Sequence, residues 1–283
     1  MPNGSDIEGF LRHIRACRNI SLPGDRIAFR LGHAQVGWVG PILADALRPE
    51  PEMRETADGL SLTDAAALAR INRDLATRGL FRWRGEAFDV RATPDGPVLA
   101  QLDRGALPAF GVEAMGVHMN GLVRRADGLH IWVARRAANK ALDPGKLDHL
   151  VAGGVPAGLG PDETLVKEAA EEAGIPPDLA ARARRVGLVA YTMDRPEGLR
   201  RDRLYCYDLE LPDDFVPVAT DGEVEAFELW PAPRVMAAMR DTGDFKFNVP
   251  LVLIDCFIRH GMIVGAAAIA LRQALAEGAL AVA

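Results

Sequence analysis

The chain has 283 residues, 49% of them hydrophobic, and its 33 basic against 39 acidic residues give a net charge of −6. That length accommodates two ordinary domains with a sizeable core. The acidic balance argues against a general nucleic-acid binder, and three scattered cysteines, Cys17, Cys206 and Cys256, give neither a disulfide framework nor a zinc-ligand spacing.

The N-terminus carries Asp6 and Glu8 with no apolar stretch ahead of a cleavage site, so a cytoplasmic protein is expected. Ser5 and Glu8 stand at capping-box spacing and open a predicted helix over 5–17. Residues 26–30 and 35–39 flank a Gly-His turn as a strand pair, and a second helix is predicted over 61–78, closed by Gly79. Residues 80–84 and 87–91 flank Gly85-Glu86 as a second strand pair. The turn at 94–97 and the stretch 105–111 then lead out of a small α+β domain over residues 1–112.

From residue 113 the pattern shifts to longer strands with helices between them. Residues 117–125 and 129–136 form a predicted hairpin about Asp127-Gly128. Further strands are predicted at 186–193, 204–211 and 224–230, with helices starting near residues 233 and 250. The apolar run 262–271 is shorter than the roughly 20 residues that span a bilayer, so no membrane association is expected. Ile263, Ala267, Leu271 and Leu275 place that last helix on the core or on a partner subunit, and a homodimer is the default expectation.

Between the hairpin and the later strands, residues 153–175 read GGVPAGLGPDETLVKEAAEEAGI and carry the chemistry. Pro161 suits the first helical position, Asp162 and Glu163 suit the positive helix end, and Gly174 followed by Pro176 stops the helix. Leu165, Ala169 and Ala173 make its apolar stripe. Glu168, Glu171 and Glu172 stand at i, i+3 and i+4, where like charges repel unless a cation lies over them, and Mg²⁺ or Mn²⁺ is the obvious cation for an all-oxygen set. The glycine-rich loop with Gly153 and Gly154 lets backbone approach a phosphate closely. A solvated acidic face is the competing account of the glutamates taken alone.

The segment resembles the Nudix box, Gly-x5-Glu-x7-Arg-Glu-x-x-Glu-Glu-x-Gly, through Gly153, Glu168, Glu171, Glu172 and Gly174. Leu159 stands where the box has its first glutamate, with Glu163 as a partial substitute or a servant of the helix N-terminus, and Lys167 stands where the box has arginine. The resemblance implies an α/β/α sandwich with a mixed sheet over residues 113–283, preceded by the small α+β domain. It also implies metal ligation and catalysis by Glu168, Glu171 and Glu172 in a hydrolase acting on the phosphoric anhydride of a small-molecule diphosphate. The runs at 110–125, 148–158, 165–176, 205–212 and 257–261 are similar to a Nudix subfamily related to the N-terminal part of fungal thiamine pyrophosphokinase and to plant chloroplast Nudix proteins. That similarity implies thiamine diphosphate, or its oxidised analogues, as substrate. ADP-ribose or NADH-type substrates and a non-catalytic diphosphate-binding module stay open as alternatives.

Glu223, in the acidic loop 221–225, is the candidate for an additional ligand or base, against an exposed acidic turn. Arg135, Arg136 and Lys140 are candidate phosphate contacts, with Arg135 and Lys167 the preferred cations, against a solvated basic patch. Trp132, with Tyr191, Phe227 and Trp230, could face a cationic ring, against ordinary core packing.

Overall fold

The computed structural model describes residues 4–280, with side chains described over residues 7–277. The capping box expected at Ser5 falls outside the described side chains. The chain opens with helix α1 (Gly4–Ala16), whose Phe10 and Ile14, with Cys17 just beyond, are buried. Next come β1 (Ile27–Leu31), β2 (Ala34–Val39), β3 (Met53–Thr56) and β4 (Gly59–Leu62), in the sheet order β2-β1-β4-β3, with helix α2 (Pro41–Leu47) between β2 and β3. Helix α3 (Ala67–Thr77) lays Leu68, Ile71 and Leu75 against that core. A separate two-stranded ribbon, β5 (Ala87–Val90) with β6 (Ala100–Asp103), and the short α4 (Leu107–Phe110) complete this part.

Two expectations here are corrected. The helix predicted over 61–78 begins only at Ala67, because residues 59–62 are held as a strand between β1, to which they run parallel, and antiparallel β3. Residues 80–84 are not a strand. Their end is held as a loop by the buried carboxylate of Asp103, which accepts the backbone N–H groups of Arg84 and Gly85 at 2.8 and 2.7 Å. The true partner of β5 is β6, so the turn at 94–97 lies inside this hairpin rather than leading out of the domain.

The second part is built on a seven-stranded mixed sheet. Its strands are β7 (Glu113–Arg125), β8 (Gly128–Arg136), β9 (Leu147–Asp148), β10 (Val151–Gly154), β11 (Arg184–Arg195), β12 (Gly198–Glu210) and β13 (Val224–Pro231). The main path runs β11-β12-β7-β8-β13; β10 pairs with β7, and β9 pairs with β8. β12 runs parallel to β7 and the other pairings are antiparallel. Helices α5 (Pro161–Ala173) and α6 (Pro177–Ala180) lie between β10 and β11, and α7 (Ala232–Asp241), α8 (Val249–Arg259) and α9 (Gly265–Leu280) follow the last strand.

Side-chain alternation along the strands makes this a sandwich. On β12, Tyr205 and Tyr207 join the core under α5, whereas Leu204 and Cys206 join the core under α7, α8 and α9. Helix α1 packs into this second core through Phe10, Ile14 and Cys17, although most of residues 27–114 gather around their own core. Each such apolar side chain contributes about 1.5–3 kcal/mol on burial. The three cysteines are buried thiols, Ile263 is buried just ahead of α9, and no helix among the described residues is long and apolar enough to cross a membrane.

Candidate active site

Helix α5 forms where its local chemistry dictates. Pro161 starts it after Gly160, the Glu163 carboxylate accepts the Gly160 N–H at 2.9 Å, and Gly174 ends it with φ of 62°. Glu163 therefore serves the helix N-terminus and does not replace the carboxylate missing at Leu159. Leu165, Ala169 and Ala173 are buried as the stripe requires, and Glu172 is buried beside them rather than on an opposite, solvated flank.

The three glutamates are not equivalent. Glu172 is only 7% exposed, and its Oε2 accepts the Ala152 N–H on β10 at 2.9 Å. Burial, opposed by that N–H and reinforced by the carboxylates of Glu168, Asp148 and Glu223, pushes the Glu172 carboxyl up to about 8. The Glu168 side chain is 16% exposed, and burial raises its carboxyl against the pull of Lys167. Glu171 is 50% exposed and faces outward, tied to Lys167 at 2.7 Å. Lys167 thus pairs with a glutamate as a point charge, and it also stands 3.6 Å from Glu168.

The glycines ahead of the helix are required by what fills the space beside them. A Cβ on Gly153 would sit 2.4 Å from Cδ of Glu168, and one on Gly154 would sit 2.6 Å from the tip of the Phe88 ring. These two residues thus admit the glutamate from one side and an aromatic of the N-terminal part from the other.

Opposite α5, the loop before β13 brings Asp221 and Glu223 to Glu172, with ligand oxygens of all three within 4.8 Å of one another. Asp221 accepts the Glu223 N–H at 2.8 Å and so shapes this loop, while Lys140 pairs with the Glu223 carboxylate. Burial favours the protonated form of Glu223, but Lys140 holds its carboxyl below the ordinary range. Ala134, Arg136, Asp148, His149, Ala152, Glu172, Glu223 and Val224 line one cleft. At its base the buried Asp148 receives Arg136 at 2.8 Å and Lys246 at 3.3 Å. Burial pushes the Asp148 carboxyl up, but these cations pull it well below the usual range. His118 and His149 pack edge to face at 5.0 Å, and burial holds His149 at about 4 and His118 lower than an ordinary imidazole.

The donor set fits a divalent cation. The oxygens of Glu172, Asp221 and Glu223 converge, Glu172 is pushed toward its protonated form by burial and, less strongly, by neighbouring carboxylates, and an all-oxygen site suits a hard ion.

Comparison with known proteins gives the family of the chain. The NUDIX domain family matches residues 116–248, and a family described as a domain of unknown function (DUF4743) matches residues 9–114. Nudix hydrolase 20, chloroplastic, of Arabidopsis thaliana is 38% identical over 92% of this chain and 75% of its own length. The chain belongs to the Nudix hydrolases. Nudix hydrolase 24, chloroplastic, of the same plant is 36% identical over the same shares. Among solved structures, DR0079 of Deinococcus radiodurans is 21% identical with a TM-score of 0.47, over 61% of this chain and 99% of that one. Nudix hydrolases act on phosphoric anhydrides, on nucleoside diphosphate derivatives generally, and use divalent metals.

Not every residue singled out in the sequence reaches this Nudix site. Arg135 points away from the cleft that Arg136 lines, lying 3.3 Å from the Gly145 carbonyl and 4.0 Å from Glu228. Strand alternation is the reason, since neighbours on β8 face opposite ways. Trp132 and Phe227 belong to the core under α5, whereas Tyr191 and Trp230 belong to the opposite core, so the four aromatics form no single pocket. Asp221 and Asp148 were not singled out as ligands or braces. The sequence signal for Asp221 was its place in the same acidic loop as Glu223, while that for Asp148 required knowing that Lys246, far along the chain, folds against it.

Proposed function

We propose that this Nudix hydrolase is a divalent-metal-dependent diphosphatase acting on a small-molecule diphosphate. The observation that carries the reading is the convergence of Glu172, Asp221 and Glu223 at one cleft, with Glu168 against Gly153, next to the Ala152 that Glu172 binds. Glu168, Glu172, Asp221 and Glu223 would hold Mg²⁺, or Mn²⁺ in its place, with Glu171 contributing from the outer side. When bound, the ion neutralises anhydride oxygens and makes a bound water more acidic. The chain's own groups organise the surroundings: Lys140 holds Glu223, Lys167 holds Glu171, Gly153 leaves room for Glu168, and Arg136 with Lys246 braces Asp148.

Thiamine diphosphate or its oxidised analogues is the substrate we favour, supported by the similarity of five separate segments to the subfamily related to fungal thiamine pyrophosphokinase. A nucleoside diphosphate derivative such as ADP-ribose is the second reading. It is favoured by the dispersal of Trp132, Phe227, Tyr191 and Trp230 into two cores, which leaves no aromatic cage of these residues for a thiazolium ring.

Phosphate release with Mg²⁺ across thiamine diphosphate, its oxo analogues, ADP-ribose and NADH separates these readings, using phosphatase coupling for substrates that yield monoesters. Glu172→Gln is expected to lower turnover about a hundredfold or more, because an amide is a poor substitute for a metal-binding carboxylate. Unchanged turnover in that variant would defeat the metal assignment. Cleavage of ADP-ribose without cleavage of any thiamine compound would replace the first substrate by the second. Stabilisation by a ligand that is never cleaved would leave a binding module.

A further inference from the structure

We propose that the N-terminal part completes the active site, with Arg104 supplying a cation to the phosphates of a diphosphate held at the acidic cleft. The inference rests on the diphosphatase reading and names a further residue of that site.

The ribbon β5–β6 is fastened to the loop that leads into α5. The Ala157 N–H donates to the Ala87 carbonyl at 2.8 Å, the Gly158 N–H reaches the Asp89 carboxylate at 3.4 Å, and the Phe88 ring occupies the space beside Gly154. Arg104 directly follows β6, and its backbone is fixed on both sides. Asp103 accepts the N–H groups of Arg84, Gly85 and Gly105, and the Arg104 N–H donates to the Glu86 carbonyl at 2.8 Å. A Cβ on Gly105 would lie 1.9 Å from the Arg82 carbonyl oxygen, so this corner is closely packed.

The Arg104 side chain then leans across Phe88, with its guanidinium 5.9 Å from the ring centre, and donates from Nη1 to Glu86 at 2.9 Å. Phe88 fills the space beside Gly154 and Glu168 fills that beside the neighbouring Gly153, so the guanidinium stands on the α5 side of the cleft. The side chain is 53% exposed, and the Glu86 contact uses one of five guanidinium donors. A diphosphate carries more negative charge than one divalent ion cancels, and arginine matches phosphate oxygens through its planar fork. A surface ion pair with Glu86 alone contributes little to stability, so it gives no strong reason to place an arginine here.

The test is calorimetric titration of the full chain with methylenediphosphonate, a non-hydrolysable diphosphate, in Mg²⁺, alongside Mn²⁺ titration and thermal melting. Arg104→Ala is expected to weaken methylenediphosphonate binding roughly tenfold or more. Arg104→Lys should fall between that variant and the wild type. Mn²⁺ affinity without the diphosphonate and the melting temperature should stay at their wild-type values. Wild-type diphosphonate affinity in Arg104→Ala overturns the assignment, and so does a loss of Mn²⁺ affinity, because the arginine would then act on the carboxylates rather than on the ligand. Failure of the wild type to bind methylenediphosphonate in Mg²⁺ overturns the diphosphatase reading and this inference with it.

Discussion

Two carboxylate clusters flank the same sheet, and they are built in opposite ways. Asp208 on β12 is buried and saturated: Asn120 donates at 2.9 Å, His260 lies 3.0 Å away, and Arg259 pairs with both oxygens, one of them at 3.1 Å. Burial alone would push the Asp208 carboxyl up, but His260, Arg259 and Asn120 pull it well below the ordinary range. Glu172 on α5 is buried to a similar degree, yet it has a single backbone donor and faces Glu168, Asp148 and Glu223. A carboxylate whose partners are all supplied by the chain holds the fold together. One left facing other carboxylates is stable only as an acid or with a cation brought from outside, and that arrangement marks a site of chemistry.

Removing the charge at each position should separate the two most sharply. Asp208→Asn leaves Arg259 short of a partner and is expected to lower stability by about 3 kcal/mol, with Asp255 still pairing the guanidinium, while any surviving fold retains metal-dependent turnover. Glu172→Gln relieves crowding among like charges and should leave the melting temperature of the metal-free protein unchanged or raised. Denaturant unfolding and melting of both variants in a chelator check the pair. Equal loss of stability in the two would dissolve the distinction.

The pH responses should run in opposite directions. Asp208 has a folded pKa below its unfolded value, so its stabilising contribution is complete above the ordinary carboxylate range and is lost as pH falls through the folded value. Glu172 has a folded pKa raised from 4.5 to about 8, so the folded state binds the extra proton and the contribution of Glu172 to stability declines as pH rises across that interval. In chelator, Glu172→Gln should therefore lose less stability than the wild type as pH rises from 4.5 to about 8. Saturating Mg²⁺ should largely abolish that difference in the wild type. A melting curve series with identical slopes for variant and wild type would count against the raised carboxyl.

The contrast also explains what could be read ahead of the structure. The register of Glu168 and Glu172, the start at Pro161 and the stop at Gly174 are local properties of a helix, and they were legible because period and capping act within a few residues. The mixed-sheet sandwich followed from long strands and from the resemblance carried by the box. The helix predicted over 61–78 takes in the end of the strand at 59–62, because the parallel pairing of that strand with β1, some thirty residues earlier, leaves no local trace. Strand β6 is hidden for a different reason: it pairs with β5 across a Pro-Gly turn whose composition suits a domain exit equally well. Asp208 drew no notice because its saturation depends on Asn120, Arg259 and His260, which come from distant segments.

Smaller effects test how finely the cleft is tuned. Gly153→Ala would place its methyl 2.4 Å from Cδ of Glu168. The obstructing group is the end of a flexible side chain, so the fold should absorb the change, but the carboxylate must move. A displacement of this kind is expected to lower turnover about tenfold to a hundredfold with little change in melting temperature. Matching losses in both would mean that the strand itself, rather than the glutamate, had been displaced.

Lys167→Ala should produce the smallest change. The lysine and Glu171 form a half-exposed pair at i, i+4, and such pairs contribute roughly 0.2–0.5 kcal/mol. Glu171 is already turned outward, so releasing it should alter turnover by no more than about threefold if its role is only to surround the site. A much larger loss would mean that the lysine fixes Glu168, 3.6 Å away, and that a point charge does the positioning that the arginine of the Nudix box does with a fork. Lys167→Arg distinguishes these cases, because a fork can hold both glutamates at once. A gain in turnover with arginine would show that the lysine leaves Glu168 under-restrained, whereas equal turnover would show that the wall of Gly153 and β10 positions this carboxylate without help.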